Sequence, residues 1–180
     1  MKVMLDANVL YPTIMREVLL GCAERGLFTP RWSPRILEEW ARAAAKYGDA
    51  QELIARGEIA LVSARFPQAA IVHEPQAERA LWLPDPADVH VLAAALAGGC
   101  DAIMTLNRAD FPQPILREAG VERVEPDPFL RGLLEENADA VRDVVARTLA
   151  SARELSGEDW TRRRLMKKAR LPRLGKALED

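Results

Sequence analysis

Short apolar runs and amphipathic stretches alternate along the first 125 residues of the chain. The apolar runs predict four buried strands, at residues 2–6, 69–73, 102–106 and 121–124. Apolar positions at helical spacing predict helices at about residues 13–25, 33–47, 50–66, 85–97 and 115–119. Ser33-Pro34 and Asp85-Pro86 mark two helix starts, because each places a capping side chain before a proline. This alternation predicts an α/β fold with a mainly parallel central sheet.

The strand pattern ends before Pro126. From there the sequence predicts only helices, at residues 128–136, 138–155 and 158–170, and Pro172 and Gly175 end the pattern. We therefore predict two parts, an α/β domain at residues 1–125 and a helical extension at residues 126–180.

Charge is unevenly distributed along the 180 residues, although the formal net charge is only −2 at pH 7. Residues 161–180 carry eight Lys and Arg side chains and two acids, so this end is basic and the rest is acidic. The composition, with 49% hydrophobic and 29% charged residues, excludes a fully disordered chain.

Cysteine usage and apolar segments indicate a protein of the cytoplasm. Cys22 and Cys100 are too few for a disulfide framework and lack metal-ligand spacing, so we expect reduced, partly buried thiols. Asp6 interrupts the apolar start before a signal peptide could form. No uncharged apolar run reaches the roughly 20 residues that a membrane span requires. We therefore predict a cytoplasmic location and no membrane partner.

The informative residues are acids and an amide that lie where strands end or helices begin. Asp6 ends the first strand, and Asn107 and Asp110 follow a later one. The carboxyl ends of the strands in a parallel sheet border its ligand crevice, so Asp6 and Asn107 are expected at one edge. Glu39 and Asp88, in the first turns of two helices, can join them there.

Several of these carboxylates also have an ordinary structural explanation. Asp85 is favoured as a helix N-cap, Asp88 as a first-turn acid near the helix dipole, and Glu38 as part of a solvated helix face. Asp110 fits a turn. Asp6 is the exception, because a carboxylate that closes an apolar strand must be hydrogen-bonded, paired or metal-bound.

Clustered carboxylates point to a bound cation, since they repel one another without one. Oxygen ligands with no His or Cys pair favour Mg²⁺ or Mn²⁺ over Zn²⁺. Such an ion can bind substrate phosphates, activate a water and stabilise a departing oxygen. The acids therefore predict metal-assisted hydrolysis of a phosphodiester.

Four stretches of the sequence, in this order, resemble the PIN-domain ribonuclease family, many of whose members are toxins of toxin–antitoxin modules. They are LDANVL at 5–10, SPRILEE at 33–39, DPADVHVLAAA at 85–95 and DAIMTLNRADFP at 101–112. The resemblance covers about residues 1–125. It implies a three-layer α/β/α sandwich and an acidic pocket that binds Mg²⁺ or Mn²⁺, with residues 1–125 as the catalytic domain.

The resemblance also implies roles for individual residues. Catalytic and metal-binding roles fall on Asp6, Glu39, Asp88 and Asp110, with Asn107 as a further metal ligand. Supporting roles fall on Asn8, Asp85 and Thr105. Asn8 and Thr105 either orient carboxylates or water, or make only local turn hydrogen bonds.

The chain departs from the family pattern at one acid. Many members have an aspartate two residues after a strand Thr or Ser, whereas this chain has Thr105-Leu-Asn107. Asn107 offers only a neutral oxygen, and Asp110 is expected to supply the missing charge. His90 lacks helical spacing to Asp85 and Asp88, so it is expected to pack or face solvent.

The basic end has three interpretations. Arg163, Arg164, Lys167 and Lys168 are candidate contacts to RNA phosphates, which would help bring a polyanion to an acidic pocket. The segment can equally form a solvated helix face, or dock onto the acidic body of a second subunit.

Together these features favour a metal-dependent endoribonuclease, the toxin of a toxin–antitoxin module, with RNA as substrate and an antitoxin and a second copy as partners. One alternative is a catalytically silent PIN fold that binds RNA or protein, which the Asn107 departure favours. A second alternative is a phosphatase with Asp6 as nucleophile, which the Asn at position 8 disfavours, because such enzymes resemble Asp-x-Asp there.

Overall fold

The computed structural model describes residues 1–178, which contain one sheet of four parallel strands. The strands are β1 (Lys2–Leu5), β2 (Thr29–Arg31), β3 (Ala102–Met104) and β4 (Glu122–Val124). Their order in the sheet is β2-β1-β3-β4. Strand β2 lies on one side of β1, and β4 lies on the opposite side of β3, so the strand order reverses between β1 and β3. In parallel α/β sheets, ligands bind at the carboxyl ends of the two strands where the order reverses. The α/β fold with a parallel sheet is confirmed, and it agrees with a PIN-like α/β/α fold.

Helices connect the strands and complete the chain. They are α1 (Ala7–Leu10), α2 (Thr13–Glu24), α3 (Pro34–Ala45), α4 (Asp49–Arg65), α5 (Pro75–Glu78), α6 (Val89–Ala97), α7 (Gln113–Glu118), α8 (Pro126–Glu136), α9 (Ala138–Ser156), α10 (Arg162–Lys168) and α11 (Pro172–Ala177). A short 3-10 helix, Pro86–Asp88, leads into α6. None of the helices within residues 1–178 is long and apolar enough to cross a membrane.

The chain divides into two compact units. The first contains residues 1–11 and 29–124, and with them the whole sheet. The second contains residues 12–28 and 125–178, so α2 joins the helices α8 to α11. Within it, α2 packs closely on α9, because a Cβ at Gly21 would lie only 2.7 Å from Cγ1 of Val144. That residues 1–125 form a catalytic domain and residues 126–180 a helical extension stays a prediction.

Several elements differ from the predicted ones, and three of the differences have a clear physical reason. The strand predicted at residues 69–73 is wrong, since only Ala70 forms an isolated bridge, with Trp32. Strand β2 was not predicted; it contains Pro30, which an edge strand tolerates. Pro172 does not end the helical pattern; it occupies the first turn of α11, where its missing N–H costs nothing.

Both cysteines are buried and free, as predicted. Burial raises the pKa of Cys22 to about 12 and that of Cys100 to about 11, so the thiolate form is disfavoured at neutral pH.

Candidate functional site

Strands β1 and β3 bring Asp6 and Thr105 side by side at the crevice. The register pairs Leu5 with Met104, the last residues of the two strands. The backbone N–H of Asp6 then donates to the Met104 carbonyl at 3.1 Å. Asp6 directly follows β1 and Thr105 directly follows β3, so the two residues lie side by side. The sequence predicts this for the carboxyl edge of a parallel sheet.

Asp6 is a buried carboxylate with three hydrogen-bond donors around it. Its Oδ1 accepts the backbone N–H of Ala7 at 2.7 Å, which caps α1. Its Oδ2 accepts from the side-chain amide of Asn8 at 2.5 Å and from the hydroxyl of Thr105 at 2.7 Å. Burial nevertheless raises the pKa of Asp6, although the bonds from Thr105 and Ala7 oppose this.

Asn8 and Thr105 form a small network that reaches the next turn. The Asn8 amide also donates to the Thr105 hydroxyl at 3.0 Å, and the Asn8 carbonyl oxygen accepts from the backbone of Leu106 at 3.0 Å. The Thr105 hydroxyl accepts a further bond from the backbone N–H of Asn107 at 3.0 Å. The two residues thus connect Asp6 to the loop after β3, which goes beyond local turn bonding.

Three aspartates come together at the entrance to α6. Oxygens of Asp85, Asp88 and Asp110 all lie within 4.8 Å of one another. Asp85 caps the 3-10 helix by accepting from the backbone of Ala87 at 2.8 Å, as the Asp-Pro pattern predicts. The structure therefore places Asp85, expected only as a supporting residue, in the same group as Asp88 and Asp110.

Asn107 lies between two of these acids. Its amide nitrogen donates to Oδ2 of Asp110 at 2.6 Å and lies 3.5 Å from Oδ2 of Asp88. Its carbonyl oxygen accepts the backbone N–H of Asp110 at 3.3 Å. The residue that departs from the family pattern thus holds Asp110 in place by a donor that an aspartate could not provide.

Glu39 and Glu38 differ in what they contact. Glu38 lies on an exposed surface with Arg56 and Arg42, and the hydrogen bond from Arg56 lowers its pKa. Glu39, in contrast, has its Oε1 2.8 Å from the ring nitrogen Nε2 of His90. Glu39 is therefore the glutamate that belongs to the acidic site, while Glu38 belongs to a surface ion-pair network.

His90 packs in the interior, which is one of the two positions expected for it, but it also has a contact that was not expected. It is fully buried, and it contacts Glu39 from another helix rather than any acid of its own helix. A signal for its burial existed in the sequence, because α6 is apolar on every side and residues 89–95 are all buried. The contact with Glu39 could not be predicted, since no spacing within one helix reports on a neighbouring helix.

The acids act on one another through space. Burial and the negative charges of four neighbours raise the pKa of Asp88 to about 6. These neighbours are Asp6, Asp85, Asp110 and Glu39. Asp6 and Glu39 thus lie outside the group of three aspartates but act on the same electrostatic site.

A divalent cation fits this site on the chemistry of its donors. The side chains offer carboxylate and amide oxygens, the ligands that Mg²⁺ and Mn²⁺ prefer. Burial is the main cause of the raised pKa of Asp88 and the negative charge of its neighbours is the second, and a cation among the acids would oppose the second effect.

The candidate RNA-binding residues lie on α10, in the second unit. All four are exposed: Arg163, Arg164, Lys167 and Lys168. Arg164 and Lys168 also cover the ring of Trp160, with Cζ 5.3 Å and Nζ 4.5 Å from its centroid. These two cations therefore have a structural contact already, of the cation–π type.

The comparison with protein families identifies the family of the chain. The family model of the PIN domain matches residues 2–109, more than half of the chain. The chain belongs to the PIN-domain family. This PIN domain contains Asp6, Glu39, Asp85, Asp88 and Asn107, and Asp110 follows directly after the matched region. No curated protein and no solved structure matches the chain.

Proposed function

We propose that this PIN-domain chain is a divalent-metal-dependent endoribonuclease that hydrolyses RNA phosphodiester bonds. The observation that carries the proposal is the convergence of Asp85, Asp88 and Asp110, with Asp6 and Glu39 acting on the same site. So many negative charges around one partly buried carboxylate are costly to the protein unless a cation is bound there.

Each residue of the site has a distinct task in this proposal. Asp6, Glu39, Asp88 and Asp110 hold Mg²⁺ or Mn²⁺, and Asn107 adds a neutral oxygen. Thr105 and Asn8 fix Oδ2 of Asp6, which keeps its carboxylate oriented before the cation binds. Asp85 shapes the entrance of α6 and adds negative charge. The chemistry supplied by a bound ion is the activation of water and the stabilisation of a departing oxygen.

Substrate binding falls to the basic side chains of α10 in this proposal. Arg163 and Lys167 are exposed, and RNA phosphates are the polyanion that such a helix attracts. Because the acidic site repels the same polyanion, a separate cationic surface is useful to a nuclease of this kind.

The test is RNA cleavage by the purified full chain. We expect cleavage of a single-stranded RNA with Mn²⁺ or Mg²⁺, no cleavage with EDTA, and a loss of most activity in Asp6→Asn and in Asp88→Asn. Asp101→Asn is the matched control, because Asp101 lies at the opposite end of the strands, where it accepts a hydrogen bond from the backbone N–H of Lys2. We expect the Asp101→Asn variant to cleave RNA as the wild type does. Equal residual cleavage by all variants would reveal a contaminating nuclease and refute the proposal.

The toxin role is a further part of the proposal and follows from the family resemblance. A cytoplasmic toxin should stop growth when it is expressed in bacteria, and Asp6→Asn should relieve this effect. The proposal includes an antitoxin protein encoded by a neighbouring gene, and a homodimer. Co-purification of the chain with the neighbouring gene product tests the first, and the mass of the purified protein in solution tests the second.

A second candidate function is a PIN fold that binds RNA or protein without turnover. Asn107 favours it, because its amide lies between Asp88 and Asp110, where a carboxylate would add charge. Titration with Mn²⁺ separates the two candidates, since a silent module has no need to bind the ion at its acids.

A further inference from the structure

His90 is a fully buried histidine at the acidic site to which the proposed function gives no task. It lies in the first turn of α6, two residues after Asp88, and its Nε2 is 2.8 Å from Oε1 of Glu39. Glu39 lies on α3, so this contact joins the two helices that carry metal-binding candidates.

Neither ring nitrogen of His90 has a hydrogen bond of ordinary geometry. Both Nδ1 and Nε2 are buried without a hydrogen-bond partner among the residues that the structure describes. The approach to Glu39 is close but not aligned along the N–H direction. Buried polar groups are nearly always paired, so an unpaired one calls for an explanation other than packing. Contacts at functional sites are often poorly aligned before a ligand binds and improve when it does.

The two contacts of Glu39 fall on the same oxygen. Oε1 is the oxygen that lies closest to His90, and it is also the oxygen closest to Arg35, at 3.5 Å from Nε. A carboxylate held through one oxygen keeps the other available as a ligand, and its orientation is restricted. His90 is closer than Arg35 and is fully buried, whereas Arg35 is half exposed, so His90 supplies the more rigid restraint.

We infer that His90 is a positioning residue, which holds Oε1 of Glu39 and thereby presents Oε2 to the divalent cation of the acidic site. The inference rests on the proposed function, because it requires that a cation binds at these acids. It assigns His90 no contact with the RNA or with the reacting atoms.

The chain provides an internal control in its second histidine. The ring nitrogen Nε2 of His73 lies 2.8 Å from Oε1 of Glu78, the same distance as in the His90–Glu39 pair. This pair contains none of the metal-binding candidates. Replacing His73 removes a histidine–glutamate contact at the same distance but keeps the His90–Glu39 contact. Glu78 and Glu39 share Arg35 as an ion-pair partner, so this control also includes any effect that passes through Arg35.

The decisive experiment measures Mn²⁺ affinity by calorimetry on the full chain. His90→Gln and His90→Met are a matched pair, since they have similar size and only Gln can donate to Glu39. We expect His90→Met to weaken Mn²⁺ binding by about 10–100-fold, the usual cost of losing a group that orients a metal ligand. His90→Gln should keep most of the affinity, and His73→Met should bind as the wild type does. In a Glu39→Gln background, the Gln and Met variants at position 90 should bind equally.

The outcomes separate this inference from the proposed function. If the wild type binds Mn²⁺ and His90→Met binds it equally well, the positioning role is refuted and the nuclease proposal stands. Equal weakening by Gln and Met would mean that His90 acts only through packing, which also refutes the role. If the wild type binds no Mn²⁺, the proposed function fails and the inference fails with it.

A measurement on the unmodified protein covers the case in which the variants do not fold. The ring ¹⁵N signals of both histidines can be followed by NMR during titration with Mg²⁺. The signals of His90 should shift as the site fills, and those of His73 should not. No shift of His90 at saturating Mg²⁺ would overturn the inference.

Discussion

The hydroxyl of Thr105 donates a 2.7 Å hydrogen bond to Oδ2 of Asp6, although 99 positions separate the two residues in the chain. The same hydroxyl accepts from Asn8 and from the backbone of Asn107. Thr105 is completely buried, so water cannot replace these partners. One oxygen atom thus fixes the geometry at which the ends of β1 and β3 meet.

Replacing Thr105 tests this network. Thr105→Val keeps the shape but removes the hydroxyl, which is one of the three donors to Asp6, so we expect the free energy of unfolding to fall by about 1–3 kcal/mol. Mn²⁺ affinity should fall as well. Urea denaturation and calorimetry measure the two effects. Thr105→Ser is the control, because it keeps the hydroxyl. A valine variant as stable as the serine variant would show that the network contributes nothing.

The raised pKa of Asp88 predicts how stability without metal depends on pH. The folded state keeps the Asp88 proton up to about pH 6, whereas the unfolded chain releases it near the ordinary value of 3.8. Between these values the folded state binds more protons, so stability should decrease as pH rises from about 4 to about 6. Asp88→Asn should flatten this decrease and raise stability at pH 7.5 by about 1 kcal/mol, since solvent screens part of the effect.

Glu38→Gln is a control for Asp88→Asn, because it should change stability at neutral pH in the opposite direction. The hydrogen bond from Arg56 lowers the pKa of Glu38, so its ionised form is favoured in the folded state. Removing that charge should therefore lower stability at neutral pH rather than raise it. Thermal unfolding in EDTA, followed across pH 4–8, measures both variants. A stability loss in Asp88→Asn at pH 7.5 would contradict the electrostatic account.

Asn107→Asp tests what the departure from the family pattern does. The new carboxylate would replace the donor to Asp110 and repel Asp88, so the protein without metal should unfold at a lower temperature. The added charge should at the same time strengthen Mn²⁺ binding. The rise in unfolding temperature that Mn²⁺ causes should thus be larger than in the wild type. An identical rise in both proteins would indicate that position 107 does not contact the ion.

The RNA-binding role of α10 is best tested by substitution. Leu165, Met166, Leu171 and Leu174 are buried, so a truncation would disrupt the second unit itself. Replacing Arg163, Arg164, Lys167 and Lys168 by Gln should weaken binding to a single-stranded RNA and reduce the slope of log K against log salt by up to about 3.

The control for the α10 substitutions makes the same charge change elsewhere. It replaces four exposed arginines that pair with acids, namely Arg42, Arg117, Arg131 and Arg147. Fluorescence anisotropy at several salt concentrations measures both variants. Equal slopes would mean that α10 contributes only general charge.

How much of the site the sequence predicts depends on how each residue is placed. Asp6 and Asn107 were predictable, because strand ends in a parallel sheet share an edge. Asp85 and Asp88 were also predictable, since the Asp-Pro start fixes the entrance of α6. The contact between Glu39 and His90 was not, because it depends on how α3 and α6 come together. That arrangement results from long-range packing, of which a single sequence carries no direct signal.

The missed elements of the fold share a similar cause. Pro30 and Pro172 indicate breaks in local structure, yet one lies in an edge strand and the other at a helix start. The strand predicted at residues 69–73 has suitable apolar residues but pairs at only one position, Ala70. Local propensity therefore indicates where a strand can form, but a strand forms only where a neighbouring strand pairs with it.

The membership of α2 in the second unit affects how the chain is made. Its apolar residues, among them Val18, Leu19 and Cys22, are buried in the finished protein, where α2 packs on α8 and α9. During translation α2 leaves the ribosome more than a hundred residues before α9. At ordinary elongation rates, on the order of ten seconds pass between the synthesis of α2 and that of α9. The nascent chain thus exposes the apolar face of α2 before α8 and α9 are synthesised. Chaperones bind exposed apolar segments of this kind, so we expect them to bind α2 during that interval.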